Sequence, residues 1–161
     1  MHTNNSYNIK KITLNAVTNI TALDISSNGI RIVVGDSTYD KLDLDTGEIG
    51  TGFGIVYVYN YDSYSQSVTL MNTVNYPATV RDMDTSINTR DIQFGASVSI
   101  NGNGYVFAIG APNHNALNNS NNKMPRRGAV IIFQYNDVNK SWDRFKTNIF
   151  GEGWKADCMI I

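Results

Sequence analysis

Phe94-Gly95-Ala96-Ser97-Val98-Ser99-Ile100, then Asn101-Gly102-Asn103-Gly104, then Tyr105-Val106-Phe107-Ala108-Ile109-Gly110-Ala111-Pro112 is the stretch whose reading decides the fold. It reads as a strand, a tight turn and a second strand that stops at a Gly-Ala-Pro corner. β-branched and aromatic residues fill both runs, and Gly and Asn separate them. Asn103-Gly104 is a hairpin pair, expected as a type I′ turn because both of its central positions need positive φ. Pro112 lacks the N–H that a central strand must donate, so pairing ends there.

A weaker copy lies upstream, from Thr21 to Asp36, with Asn28-Gly29 at its turn and Gly35-Asp36 at its corner. Gly29 and Gly104 are 75 residues apart, as are Gly35 and Gly110. Each copy continues past its corner through a polar loop into a third run, Gly54 to Tyr61 or Gly128 to Asn136. A polar turn and a fourth run follow, Val68 to Val74 or Trp142 to Ile149. Self-similarity at a fixed period makes each copy one supersecondary unit that cannot bury its faces alone. Four short strands joined by turns describe one antiparallel four-stranded sheet per copy. An ordinary antiparallel sandwich containing two similar hairpins is the rival arrangement.

The pattern resembles the FG-GAP repeat, the blade unit of the integrin-α-type β-propeller. Phe94-Gly95, Ser97-Val98, Gly110-Ala111-Pro112, Gly128 with the apolar run after it, and Trp142 carry the likeness. The first copy departs from the pattern, with Asn19-Ile20 in place of Phe-Gly and Gly35-Asp36 in place of Gly-Ala-Pro. The resemblance implies an all-β fold of two consecutive four-stranded antiparallel blades, a partial propeller. The expected divisions are an N-terminal strand or arm at 1–18, a first, degenerate blade at 19–77 and a connector at 78–93. A second blade at 94–149 and a C-terminal tail or capping strand at 150–161 complete the chain. Two blades fall short of the four to eight typical of propellers. The chain is therefore expected to be a fragment, a stable partial propeller, or a subunit completed by other chains.

Composition narrows the partners. A net charge of −1 and no basic stripe give no sign of nucleic acid. The longest apolar runs are too short to span a bilayer, and residues 1–11 are polar and rich in Asn, without the apolar centre of a signal peptide. No membrane insertion is expected; localisation stays open, a virion or other large assembly being one setting. Cys158 is the single cysteine, so no internal disulfide can form. The apolar ending Cys158-Met159-Ile160-Ile161 suggests burial against other protein, hence an oligomer or larger assembly.

The candidate sites lie in the long loops after the second run of each copy. In the first loop Asp40, Asp43 and Asp45 gather carboxylates, and in the second His114, Arg126 and Arg127 are candidates. The resemblance places such loops on a ligand-binding face, and loops on a rigid sheet commonly carry function. The Asp43-x-Asp45-x-Gly47 spacing is only faintly that of a calcium loop and breaks the EF-hand pattern, so a solvated acidic turn is expected and no metal. Calcium needs several oxygen ligands with carboxylate among them. The turns at 26–29 and 101–104 supply none beyond nearby Asp24. Tyr57, Tyr59, Tyr61, Phe133 and Tyr135 alternate along the third runs and are expected to pack rather than to form a sugar platform. His2 and His114 have no nucleophile at motif spacing, and no phosphate loop or Gly-x-Ser-x-Gly occurs. The expectation is a non-catalytic binding, adhesion or surface-display module without cofactor. The alternatives are an architectural component of a viral or cellular shell and an accessory domain of a larger enzyme.

Overall fold

The computed structural model describes residues 13–42, 49–50, 52–77, 91–114, 116–117, 123–124, 127–145 and 149–151. These residues contain strands and no helix. In chain order the strands are β1 (Ala22–Ile25), β2 (Arg31–Asp36), β3 (Lys41–Leu42), β4 (Ile49–Gly50), β5 (Ile55–Asp62) and β6 (Ser67–Asn75), then β7 (Ser97–Ile100), β8 (Val106–Ala111), β9 (Ala116–Leu117), β10 (Lys123–Met124), β11 (Ala129–Asn136), β12 (Ser141–Arg144) and β13 (Ile149–Phe150). Sheet one has the order β1-β2-β5-β6 and sheet two the order β7-β8-β11-β12, all antiparallel. The chain is thus all-β with two four-stranded antiparallel sheets. Strand β13 pairs with the start of β11 on the edge that β12 uses further along, so the fourth run of the second copy is one interrupted strand.

Register repeats with the sequence. Ala22 opposes Gly35 as Ser97 opposes Gly110, and Ile25 opposes Ile32 as Ile100 opposes Phe107. The third turns match as well. Asp62 Oδ1 accepts from Tyr64 N and Asn136 Oδ1 from Val138 N, and each turn closes on a left-handed residue, Gln66 or Lys140. Even the irregularity recurs: the β5–β6 ladder slips between Val58 and Tyr59, where its counterpart breaks into β12 and β13.

Alternation along the strands decides what is buried. Val33, Val56, Val58 and Val74 on one face of sheet one meet Ile100, Phe107, Ile109, Ala129, Ile131, Phe133 and Trp142 on one face of sheet two. Phe107 stands between the Phe133 and Trp142 rings, with centroids 5.5 and 4.5 Å away. The expected packing role of the aromatics is therefore met by Phe133 and Tyr135 here and by Tyr57 and Tyr59 elsewhere. Tyr57 and Tyr59 lie with Ile32, Val34 and Ile55 on the other face of sheet one, covered by Leu14 and Val17. Tyr59 donates its hydroxyl to Asn15 O at 2.7 Å. Of the N-terminal strand or arm expected at 1–18, residues 13–18 are described, and they lie outside any strand. Of the C-terminal tail or capping strand expected at 150–161, residues 150 and 151 are described, Phe150 closing β13, and the rest lie outside the described residues.

Two features differ from expectation. The Asn-Gly turns are not type I′, because only Gly29 and Gly104 have positive φ, +72° and +76°. Gly29 N donates to Ser26 O at 2.8 Å and Gly104 N to Asn101 O at 3.0 Å, closing a four-residue turn on a left-handed glycine. Asparagine side chains favour this arrangement by accepting local backbone N–H groups, as Asn28 Oδ1 does from Ile30 and Asn103 Oδ1 from Tyr105. The second difference is in the long loops, each of which carries a short ribbon, β3–β4 in the first and β9–β10 in the second.

The degenerate start of the first copy has its own fastening. Asp36, at the position of Ala111, is fully buried. Its carboxylate accepts from Thr18 Oγ1 at 2.7 Å, Asn19 N at 3.0 Å, Thr38 Oγ1 at 2.8 Å and Thr38 N at 3.2 Å. Burial opposes ionisation, but these donors outweigh it and hold the carboxyl below the ordinary aspartate value. A lowered folded-state pKa stabilises fully above the unfolded value and loses that contribution as pH falls through the folded one. Asp36→Asn should therefore lower the urea midpoint at pH 7, and the gap to the parent should shrink as pH falls below about 4. A gap that is unchanged between pH 7 and pH 3 would show that Asp36 is not the ionised clasp.

Candidate functional site

The loops after β2 and β8 emerge at the same end of the two sheets, and the segment 91–95 joins them. Gln93 N donates to Gly52 O at 2.9 Å and Phe94 N to Phe53 O at 3.1 Å, while Asn113 N reaches Ile92 O at 3.4 Å. The segment is therefore threaded between the glycine-rich return of the first loop and the Pro112 corner of the second. Its tight course is visible in the left-handed φ of Asp91 (+66°), Gln93 (+58°) and Gly95 (+92°). Non-glycine residues held there carry strain of about 1 kcal/mol or more, which the surrounding hydrogen bonds must offset.

Polar groups line this end in sequence. Asp40 Oδ1 accepts from Gly52 N at 2.9 Å. Asp91 lies against Gly52, and its two carboxylate oxygens accept from Gln93 Nε2 at 2.8 Å and Asn113 Nδ2 at 3.2 Å. His114 follows directly and is fully buried, with Nδ1 bonded to the Tyr76 hydroxyl. The imidazole is thus the anchor under the second loop, and its backbone carbonyl accepts from Gly128 N at 3.2 Å. Arg127 Nε donates to Gly151 O at 2.8 Å, tying the end of the second loop to the outer edge of sheet two.

Of the candidates read from sequence, Asp40, His114 and Arg127 are thus gathered at one end of the molecule, whereas Asp43, Asp45 and Arg126 lie outside the described residues. Sequence reasoning missed Asp91, Asn113 and Tyr76. Asp91-x-Gln93 in front of Phe94 is a polar pair without periodicity, and nothing local marks its partner 22 residues away. The structural positions are clear. Phe94 is fully buried, Gly95 has left-handed φ, and Ser97 and Val98 open β7. Gly110 and Ala111 end β8 and Pro112 turns the corner. Gly128 is left-handed at +70°, and Trp142 is buried with Nε1 unpartnered.

Among the described residues this end gathers carboxylate, amide and guanidinium groups, with Asp40 and Arg127 on backbone partners and Asp91 on the side chains of Gln93 and Asn113. Among the described residues no three His, Cys, Asp or Glu side chains are grouped to hold a metal ion. No protein-family model matches the chain, and no curated protein matches it.

Proposed function

We propose that the two sheets are consecutive β-propeller-type blades and that the chain is a non-catalytic binding or surface-display module presenting its two ribbon-bearing loops. The observation that carries the reading is contact between equivalent points of the two copies. Asn28 Nδ2 donates to Asn103 O, Thr21 Oγ1 to Gly95 O, and Ile100 N to Asp24 Oδ2, pairs 74 to 76 residues apart. Units whose equivalent points touch are related by a rotation about an axis near those points, which is how blades are arranged. The closest approach is through β1, β2 and β7, the strands nearest such an axis. Both long loops then fall on one face of the array, where a ligand could touch both.

Replacing residues 41–50 and, separately, 116–124 with Gly-Ser linkers of equal length tests the display function. Each variant and the parent are screened against immobilised glycans and purified extracellular proteins, with melting temperatures measured alongside. The expected result is a ligand bound by the parent and lost by a loop variant whose melting temperature stays within a few degrees. Parent binding that survives both replacements, or no binding on either array, would overturn the display reading. The architectural reading is the second, favoured by the open apolar face of sheet two.

A further inference from the structure

The interface between the two sheets is formed once, and each of its halves recurs at the far side of the described molecule, one as a largely open face of sheet two and the other open only along β1. The half contributed by sheet one has the rung Ala22-Gly35-Val56-Val74. Its repeat in sheet two is Ser97-Gly110-Val130-Ile149. Val74 is 7% exposed, whereas Ile149 is 56% exposed. Ala108 and Ile132, the repeats of the fully buried Val33 and Val58, are half-buried. The half contributed by sheet two has Val98 and Ile100 on β7, with Ile100 9% exposed. Their repeats on β1, Leu23 and Ile25, are 49% and 50% exposed. Further out, the same side of sheet one is filled by Leu14 and Val17. The first-strand strip, through which the established interface makes its closest approach, is left open.

We propose that a second copy of this chain covers the open face of sheet two, bringing its β1 strip, Leu23 and Ile25, against β7 and β8 at Ala108 and Gly110. The association is head-to-tail, so it repeats from copy to copy and makes a ring if the rotation closes and a filament if it does not. Glycine at 110 suits the role. At its repeat, Gly35, a Cβ would stand 2.0 Å from the carbonyl oxygen of Gly95 on the neighbouring sheet. Exposed apolar surface at both ends, each matching the other's established partner, is the pattern expected of a self-assembling unit.

The inference rests on the two sheets being equivalent units, and it is separable from the display function, since a monomer that bound ligand through its loops would overturn the assembly alone. The test uses the full chain and two variants at half-exposed positions, Ile25→Glu on the strip and Ile149→Glu on the face. Light scattering after size exclusion should give the parent a mass of several chains at tens of micromolar and each variant the mass of one. Each variant keeps one sound half of the interface. An equimolar mixture should therefore form a dimer and stop there. Leu23→Glu and Ile132→Glu provide a second pair if either first variant fails to fold by circular dichroism. A monomeric parent, variants that still associate, or a mixture that stays monomeric would each overturn the proposal. The last of these would also show that copies meet through like surfaces.

Discussion

Gly54→Ala should unfold the chain or lower its melting temperature by about 10 °C, at about 3 °C for each kcal/mol lost in a chain of this size. Two effects coincide at this position. The φ of Gly54 is +80°, which side-chain-bearing residues adopt at a cost of about 1 kcal/mol. A Cβ there would stand 1.9 Å from the carbonyl oxygen of Phe94, a backbone atom that cannot swing away. Overpacking against fixed atoms typically costs about 1–3 kcal/mol and more when no relaxation is open. Gly29→Ala is the control, because Gly29 has a similar φ of +72° but no heavy atom within 4 Å of the added carbon. It should lose only the conformational part. At Gly110 the added carbon meets Ser97 Oγ, a hydroxyl that can rotate, so alanine there should fall between the two. Equal melting temperatures for Gly54→Ala and Gly29→Ala would show that the segment at Phe94 does not sit against Gly54.

The hairpins were legible in the sequence because their causes are local. Alternation of Val98, Ile100, Phe107 and Ile109 names the buried face, and the Gly-Asn punctuation names the turn. The recurrence of the register at Gly35 and Gly110 was legible for the same reason, since a period survives even where residue types drift. The turn geometry was misread because Asn-Gly also suits a longer turn whose left-handed position is the glycine alone. The ribbons β3–β4 and β9–β10 were not legible, two paired residues being too few to show a period. At the loop end Asp91 meets Gln93 on its own segment and Asn113 from the next loop, and no spacing rule brings Asp91 to Asn113. Asp36 is the instructive case. Its place in the Gly-Ala-Pro pattern marked a departure, but only the fold shows that the backbone N–H of residue 19 donates to it and that the Asn19 side chain donates to Thr38 Oγ1, itself a donor to Asp36. Two irregularities that weaken the sequence likeness are one hydrogen-bonded clasp in the structure.

Phe94→Ala should cost about 3–5 kcal/mol, the usual loss for emptying a fully buried aromatic site. Phe94 precedes β7, yet its ring is fully buried in the core shared by the two sheets, edge-on to Tyr76, which follows β6, with centroids 5.6 Å apart at 80°. Its backbone N–H is meanwhile bound to Phe53 O. The side chain therefore joins sheet one to sheet two as well as filling space, and Tyr76, which it braces, is the residue bonded to His114 beneath the second loop. Removing the ring should lower the urea midpoint without changing the slope of the transition, because one core unfolds as a unit. Phe94→Leu should recover much of the loss, at under about 1.5 kcal/mol if the neighbours repack. Phe145→Ala, at a half-exposed position, should stay within about 0.5 kcal/mol of the parent. A Phe94→Ala transition that splits into two steps would mean that each sheet is stable alone and that the shared core is only a contact between them. A single, shifted step would mean that the phenylalanine at the mouth of the second copy binds two otherwise incomplete sheets into one folding unit, and so fixes both loops in one frame.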